Sequence, residues 1–461
     1  MSIDCDKLNL QGKVAGIYGV GGSTGNAVVN FLVELGFKLI LYDDKDHQKV
    51  AQNLDFQPAD KNYCKFVDNK YELLTSDFIV TSPGVSLEQE FFSRTKENNV
   101  LVISEIELAY NFFERFLIAI TGTNGKTTTT SLVGDILSTG LNSRNVRTAG
   151  NIGAPLLQVL DKGSREDIIV AEVSSFQLAG IKNFAPDIAV ALNFSPDHLD
   201  WHKNAEAYKQ SKRKIFINQT PEQIAIINGD DKDINQMAAV SSAQIKRVSG
   251  INKEAEVYVD EEIIVGKDKL ISRDDVKIKG THNFINIAFA AFIGIELGVD
   301  YRDVKKAIRN FCPPPHRMQE ITRNDDLLII DDSKATNPHA GCAALNSLKE
   351  KDNIVIIAGG QDRSLDLSSF AKKIAKNAAG AVLLGETAEI LNNLLASYQF
   401  SRTKIAENMQ EAVNAGMNML EGEGVLILSP GAPSWDMFES YKQRGRLFQA
   451  EVRKHLPKLD I

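Results

Sequence analysis

The chain has 461 residues, 43% hydrophobic and 24% charged, with 52 Lys and Arg against 60 Asp and Glu for a net charge of −8. That length suits about three domains, each with its own core, and the composition excludes a disordered or fibrous chain. The negative balance argues against general nucleic-acid binding, because a phosphate backbone is repelled unless a local basic patch intervenes.

Cys5, Cys64, Cys312 and Cys342 form no C-x-x-C pair, so neither a disulfide framework nor a zinc ribbon follows from their spacing. The acidic start, Met1-Ser2-Ile3-Asp4-Cys5-Asp6, has no apolar h-region. No apolar run reaches the about 20 residues that cross a bilayer. These features predict a cytoplasmic protein without membrane insertion.

From Lys13 onward, short apolar runs alternate with longer amphipathic stretches, which predicts an α/β fold built on parallel sheets. In chain order the expected strands are Val14–Tyr18, Lys38–Tyr42, Phe78–Thr81, Leu117–Thr121, Ile168–Glu172, Ile188–Leu192, Ala225–Ile227, Leu327–Ile330, Ile354–Ala358, Ala381–Leu384 and Val425–Leu428. Most end where polar residues or glycine begin, the edge at which open α/β sheets gather ligands. One boundary is expected within Glu105–Arg115. A second falls at Cys312-Pro313-Pro314-Pro315, where neither a helix nor a central strand can continue.

The first expected strand runs into Gly19-Val20-Gly21-Gly22-Ser23-Thr24-Gly25, a helix-compatible run follows, and Asp43 comes at the end of the next strand. Small residues there let backbone N–H groups approach a pyrophosphate at a helix N-terminus, while the acid can bind a ribose or base. Thr24 stands where the third glycine of G-x-G-x-x-G belongs and Gly25 comes one place late. The turn therefore suits NAD, another diphosphate ligand, or a tight turn with no ligand at all.

A second glycine turn, Gly122-Thr123-Asn124-Gly125-Lys126-Thr127-Thr128, follows the strand ending at Thr121. Its backbone amides can wrap phosphates, Lys126 adds a cation and the Thr127 hydroxyl can hold Mg²⁺. Ile120 occupies the first glycine position of the strict P-loop, so this is a shorter G-x-x-G-K-T form. Glu172, ending another expected strand, is a candidate metal ligand, or else a cap or a partner for a base. On chemistry alone, neither His198 in Asn193-Phe194-Ser195-Pro196-Asp197-His198 nor Lys212 stands out, since a lone histidine is usually satisfied structurally and the lysine cluster could equally be a solvated helix face.

Taken in order, Gly122–Thr127, Glu172-Val173-Ser174-Ser175-Phe176-Gln177, Asn193–His198, Gly280–Asn286, Pro315-His316-Arg317, Asp332-Ser333-Lys334-Ala335-Thr336-Asn337 and Ser429–Ser434 resemble the Mur ligase family over nearly the whole chain. Asp332–Asn337 and the ending Ser434–Phe438 with Arg444-Gly445 and Phe448 look most like the members that add D-glutamate to UDP-N-acetylmuramoyl-L-alanine in peptidoglycan precursor synthesis. The resemblance implies three domains: a Rossmann-like N-terminal domain at 1–107, a central P-loop ATPase-type domain at 108–313 and a C-terminal Rossmann-like α/β domain at 314–461. It also implies an ATP-dependent ligase forming an amide through an acyl phosphate, with two Mg²⁺ ions, acting as a monomer.

By the same resemblance Gly21, Gly22, Ser23, Thr24, Asp43, Ser82, Pro83, Gly84 and Asn151 would meet the uridine diphosphate substrate. ATP would meet the loop Gly122–Thr128 together with Asn283, Asn286, Arg317 and Asp332. Thr127 and Glu172 would hold one metal, and His198 with a carbamylated Lys212 the other. Lys334 would lie near the acyl-transfer centre, and Thr336, Arg363, Ser434 and Tyr441 would hold D-glutamate. Arg363 departs from the lysine expected at its place, and Trp435 and Tyr441 depart from smaller or non-phenolic residues.

Overall fold

The structure, a computed structural model, describes residues 5–10, 13–45, 50, 64–141, 143–199, 201–278, 280–312, 315–323, 326–348, 351–363 and 366–456. By its contacts the chain divides into two compact units. The first comprises Met1–Pro196, Trp201–Arg273 and Asn286–Arg309, and the second Asp197–Asp200, Asp274–Ile285 and Asn310–Ile461. Among the described residues no helix is long and apolar enough to cross a membrane.

The first unit holds two sheets. β1 (Val14–Tyr18), β2 (Lys38–Tyr42), β3 (Cys64–Phe66), β4 (Phe78–Thr81) and β5 (Leu101–Ser104) lie in the order β3-β2-β1-β4-β5. All pairs are parallel, with Tyr18 beside Thr81. The order reverses between β1 and β4, so the turns after these two strands emerge side by side at the switch point where such sheets take ligands.

In the second sheet β6 (Phe116–Thr121), β7 (Val146–Gly150), β8 (Ile168–Glu172), β9 (Ile188–Ala191), β10 (Ile224–Asn228), β11 (Gln244–Ser249) and β12 (Val257–Val259) run parallel. β13 (Glu262–Val265) and β14 (Asp268–Ser272) extend it as an antiparallel ribbon. β6 lies between β8 and β9, pairing Ile120 with Glu172 and Thr121 with Ala191. Every residue of β8 is buried, as a strand covered on both faces requires.

The two sheets share one continuous apolar core. Glu107, fully buried on the helix after β5, reinforces the joint by accepting from the amides of Lys182 at 2.9 Å, Asn183 at 2.8 Å and Phe184 at 3.0 Å.

The second unit carries β15 (Gln319–Arg323), β16 (Leu327–Asp331), β17 (Ile354–Gly359), β18 (Gly380–Leu384), β19 (Thr403–Ile405) and β20 (Gly424–Leu428), in the order β15-β16-β20-β17-β18-β19. Only β15 is antiparallel. Separate apolar clusters cover the two faces. The loops after β16, β20, β17 and β18 therefore emerge together at one edge.

All the expected strands are present, with ends shifted by a residue or less. The strands not expected, β3, β5, β7, β11 to β15 and β19, are mostly short or lie toward the sheet edges, where exposed polar residues interrupt the apolar run. The boundary expected at Cys312–Pro315 falls partly on Pro313 and Pro314, which lie outside the described residues.

Candidate active site

The second glycine turn leaves β6 and opens the helix Lys126–Gly140, with Gly125 as N-cap at φ 83°. A side chain at Gly125 would put its Cβ 2.5 Å from Asn286 Oδ1, so backbone conformation and close approach both demand glycine. The segment after β9 braces the turn: Asn124 N donates to Asn193 Oδ1 at 2.8 Å, Asn193 Nδ2 returns a bond to Asn124 O at 3.0 Å, and Thr123 Oγ1 donates to Ser195 O at 2.9 Å. Lys126 Nζ donates to Gly122 O at 2.8 Å and Thr123 O at 2.9 Å, which holds the ammonium within the turn. Thr127 and Thr128 form the first helical turn with it.

Lys212, which its neighbours alone left open to a solvated face, is 2% exposed. Its Nζ donates to Gly122 O at 2.9 Å and lies 4.7 Å from the centre of the Tyr208 ring. The helix Ala205–Ile217 buries Tyr208, Ser211, Lys212, Ile215 and Phe216, a spacing of three and four that turns Lys212 inward with the apolar residues. A single apolar-face count misassigns a lysine that supplies the polar contact within such a stripe.

Glu172, paired beside Ile120, is 2% exposed. Asn151 Nδ2 donates to its Oε1 at 2.7 Å, while Oε2 is buried without a hydrogen-bond partner among the described residues. An acceptor-only oxygen left over in this way fits a hard divalent cation. Asn151, expected beside the sugar nucleotide, makes this bond to Glu172. Among the described residues no three His, Cys, Asp or Glu side chains group as a preformed metal cage.

At the first glycine turn, Asp43 Oδ2 accepts from Gly21 N at 2.8 Å and Ser82 Oγ donates to Gly19 O at 2.5 Å. The two turns beside the switch point are thereby tied to each other. A Cβ on Gly25 would lie 2.5 Å from Gly19 O and 2.6 Å from Val20 Cα. Gly25 therefore does the close-packing work of a third glycine one residue later, at a helix that begins with Ser23 and continues through Thr24. Gly22 is its N-cap, and Gly84 has open space around it.

In the second unit Asp332 follows β16 and is buried, its Oδ2 accepting from Ser429 Oγ at 2.9 Å and its Oδ1 from Met318 N at 3.2 Å. Burial pushes its carboxyl up to about 7, with the Arg317 charge opposing. Lys334 Nζ lies 4.0 Å from the centre of the Tyr441 ring. Asp197 Oδ2 accepts from Asn337 Nδ2 at 2.8 Å, and Asn337 caps the helix Pro338–Ser347. His198, at φ 55°, lies beside Arg363, whose Nη1 is 3.3 Å from His198 Nδ1. Ser434 is 3% exposed after β20, and Thr336 follows Ala335, whose carbonyl accepts from Gly431 N at 2.9 Å. Asn283 and Asn286, on the helix Thr281–Glu296, are both buried.

Arg444 was part of a motif but carried no expected role. It is 1% exposed and donates to Ser333 Oγ and O, Ala432 O and Pro433 O at 2.9 to 3.1 Å, which joins the loops after β16 and β20. Gly445 and Phe448, buried on the same helix, were the available signal, since their spacing marks the inward face on which Arg444 also lies.

Comparison with known proteins agrees along the chain. Residues 14–104 match the Mur ligase MurD-like N-terminal domain, 120–294 the Mur ligase middle domain and 316–431 the Mur ligase glutamate ligase domain. The chain is 33% identical over 453 residues to the UDP-N-acetylmuramoylalanine--D-glutamate ligase of Clostridioides difficile (strain 630), covering 96% of this chain and 99% of that protein. It is 35% identical over 455 residues to the enzyme of the same name from Desulfitobacterium hafniense (strain DSM 10664 / DCB-2), covering 97% and 99%. Two crystal structures from Thermotoga maritima share the fold. The MurF ligase in complex with ADP has a TM-score of 0.59 at 17% identity over 97% of both chains. The UDP-N-acetylmuramate-alanine ligase MurC has 0.57 at 18% identity over 96% of this chain and 100% of its own. With its three sheets and matches at this level over nearly its full length, the chain belongs to the Mur ligase family.

Proposed function

We propose that the protein joins D-glutamate to UDP-N-acetylmuramoyl-L-alanine, converting ATP to ADP and phosphate, in the cytoplasmic assembly of peptidoglycan precursors. The observation that carries this reading is the near full-length match to relatives bearing that activity in their names, at 33 to 35% identity. It is supported by a glycine turn beside which the neighbouring strand of the sheet ends in a buried carboxylate, one of whose oxygens has no hydrogen-bond partner among the described residues.

A carboxylate is a poor acyl donor, so the alanyl carboxylate needs activation. One of its oxygens attacks the γ-phosphorus and ADP leaves, which gives an acyl phosphate. The glutamate amine then attacks the acyl carbon, loses a proton and expels phosphate. Both steps bring anions together, so cations must be in place first. Lys126 and the amides of Gly122, Thr123, Asn124 and Gly125 suit the β- and γ-phosphates. Thr127 and Glu172 suit a first Mg²⁺, and His198 with Lys212 a second. Bound there, magnesium supplies charge neutralisation to the transferring phosphoryl group. As a neutral amine Lys212 would add to CO₂, forming an N–C bond and losing one proton, and so become an anionic oxygen ligand. Asn283, Asn286, Arg317 and Asp332 suit the nucleoside and phosphate ends of ATP, and Lys334 the acyl-transfer centre. Thr336, Arg363, Ser434 and Tyr441 suit the carboxylates of glutamate, and Gly21 to Thr24, Asp43, Ser82, Pro83 and Gly84 the uridine diphosphate. Domain limits of 1–107, 108–313 and 314–461 and a monomeric state complete the reading.

The test is phosphate release from ATP with UDP-N-acetylmuramoyl-L-alanine and, in separate reactions, D-glutamate, L-glutamate, L-alanine or a diamino acid, with product masses read out. D-glutamate should support turnover and give the amide. Equal turnover with another amino acid, or hydrolysis without an amide, would overturn the assignment.

A further inference from the structure

We propose that Trp435 is a positioning residue for the amino-acid substrate, its indole face fixing the plane of the Arg363 guanidinium so that the fork meets a glutamate carboxylate edge-on. The inference rests on the assignment of Arg363 to that carboxylate.

Arg363 and Trp435 belong to loops that leave neighbouring parallel strands, β17 and β20. Both loops are pinned through their backbones. Gln361 N donates to Pro433 O at 3.0 Å, Gly360 N to Thr387 Oγ1 at 3.0 Å, and Asp362 N to Glu386 Oε2 at 2.9 Å. Glu386 N in turn donates to Asp436 Oδ2 at 3.1 Å, next to Trp435. The guanidinium carbon of Arg363 lies 4.6 Å from the centre of the Trp435 ring.

Trp435 is 62% exposed although its neighbour Ser434 is only 3% exposed. An indole that exposed contributes little as core packing, so the guanidinium is what its face serves. A guanidinium stacked on a ring keeps its N–H donors in its own plane, pointing sideways, which is the geometry a carboxylate matches with two parallel bonds. A lysine, as a point charge on a flexible stem, would gain no such orientation from the ring. Two of the three places at which this chain departs from the expected residues, Arg363 and Trp435, are thus in contact and suit each other physically. His198 Nδ1 at 3.3 Å and Gln361 Oε1 at 3.4 Å limit the remaining rotation of the fork.

The experiment measures initial rates of the full chain and of W435L, W435F, R363K and the W435L/R363K double variant. D-glutamate is varied with ATP and UDP-N-acetylmuramoyl-L-alanine saturating, and then each of the other substrates is varied in turn. An exposed to half-buried cation–π contact implies about a fivefold rise in the KM for glutamate in W435L, with kcat and the other two KM values unmoved. W435F, which still offers a ring, should stay near wild type, and in the R363K background the W435L effect should largely vanish. A glutamate KM unmoved in W435L, an equal rise in all three KM values, or an undiminished effect beside R363K would each overturn the pairing while wild-type turnover stands. Absence of amide from the wild-type protein would overturn the proposed reaction itself, and the pairing with it.

Discussion

Asn151 and Glu172 form a directed pair: the Asn151 amide donates to one carboxylate oxygen at 2.7 Å and leaves the other, buried and without a hydrogen-bond partner among the described residues, facing away from it. A single orienting donor fixes which oxygen is offered to a cation, the usual task of a group that supports a metal ligand. Asn151→Ala should therefore raise the Mg²⁺ concentration needed for half-maximal turnover by about tenfold, with smaller change in the KM for D-glutamate. A magnesium titration at fixed ATP checks this, and an unchanged midpoint would leave Asn151 with packing alone.

Lys126 spends its donors on the carbonyls of Gly122 and Thr123, within the turn that it stiffens. Lys126→Ala removes a cation and two of the bonds to these carbonyls, while Gly122 O keeps the one from Lys212 Nζ at 2.9 Å. The melting temperature should move by only a few degrees while kcat falls by about two to three orders of magnitude, the usual scale for losing one charge-stabilising donor. Parallel thermal and kinetic measurements separate the two effects, and turnover near wild type would contradict the role.

Arg444 is a buried cation whose donors meet carbonyls and a hydroxyl, with no carboxylate among these partners. Burial lowers its pKa to about 10, so it remains charged at neutral pH. Lysine in its place keeps the charge but loses the fork, stranding the carbonyls of Ala432, Pro433 or Ser333. Arg444→Lys should cost about 3 kcal/mol in urea unfolding. A loss below about 0.5 kcal/mol, within the range of neutral surface changes, would show that the two loops hold together without it.

For Asp332 the sign of the pH effect follows from burial. Its folded pKa of about 7 stands above the ordinary 3.8, so between those values the folded chain holds a proton that the unfolded chain has released. Its contribution is full below about pH 4 and is lost as the pH rises to about 7. Asp332→Asn, which stays neutral, should gain stability relative to wild type across that window. Paired denaturant titrations at pH 5 and pH 8 measure this with about the precision needed, and a constant difference would contradict the raised pKa.

How much of this was legible in the sequence depended on which kind of signal each residue carries. Buried strands announce themselves by continuous apolar runs, and β8 and β16 were readable for that reason. β11 and β19 were not, since most of their residues are exposed or only half-buried and polar residues break the pattern. The second glycine turn was legible as a strand-to-helix turn because glycine, lysine and threonine sit at fixed offsets between a strand and a helix. Gly25 could be seen only as a misplaced third glycine until its contact with Gly19 and Val20 showed the packing it permits. Lys212 was unreadable from its neighbours, because a run of lysines looks the same whether one of them turns inward or none does. The Asn151 contact with Glu172 and the Arg363 contact with Trp435 join residues distant in the chain, and no local period reports such contacts.

The most direct measurement uses UDP-N-acetylmuramoyl-L-alanine labelled with heavy oxygen in its free carboxylate, incubated with the protein, ATP, Mg²⁺ and D-glutamate. Passage of that carboxylate oxygen through an acyl phosphate predicts one labelled oxygen in each phosphate released, in step with each new amide. Unlabelled phosphate, or labelled phosphate without an amide to glutamate, would contradict the account.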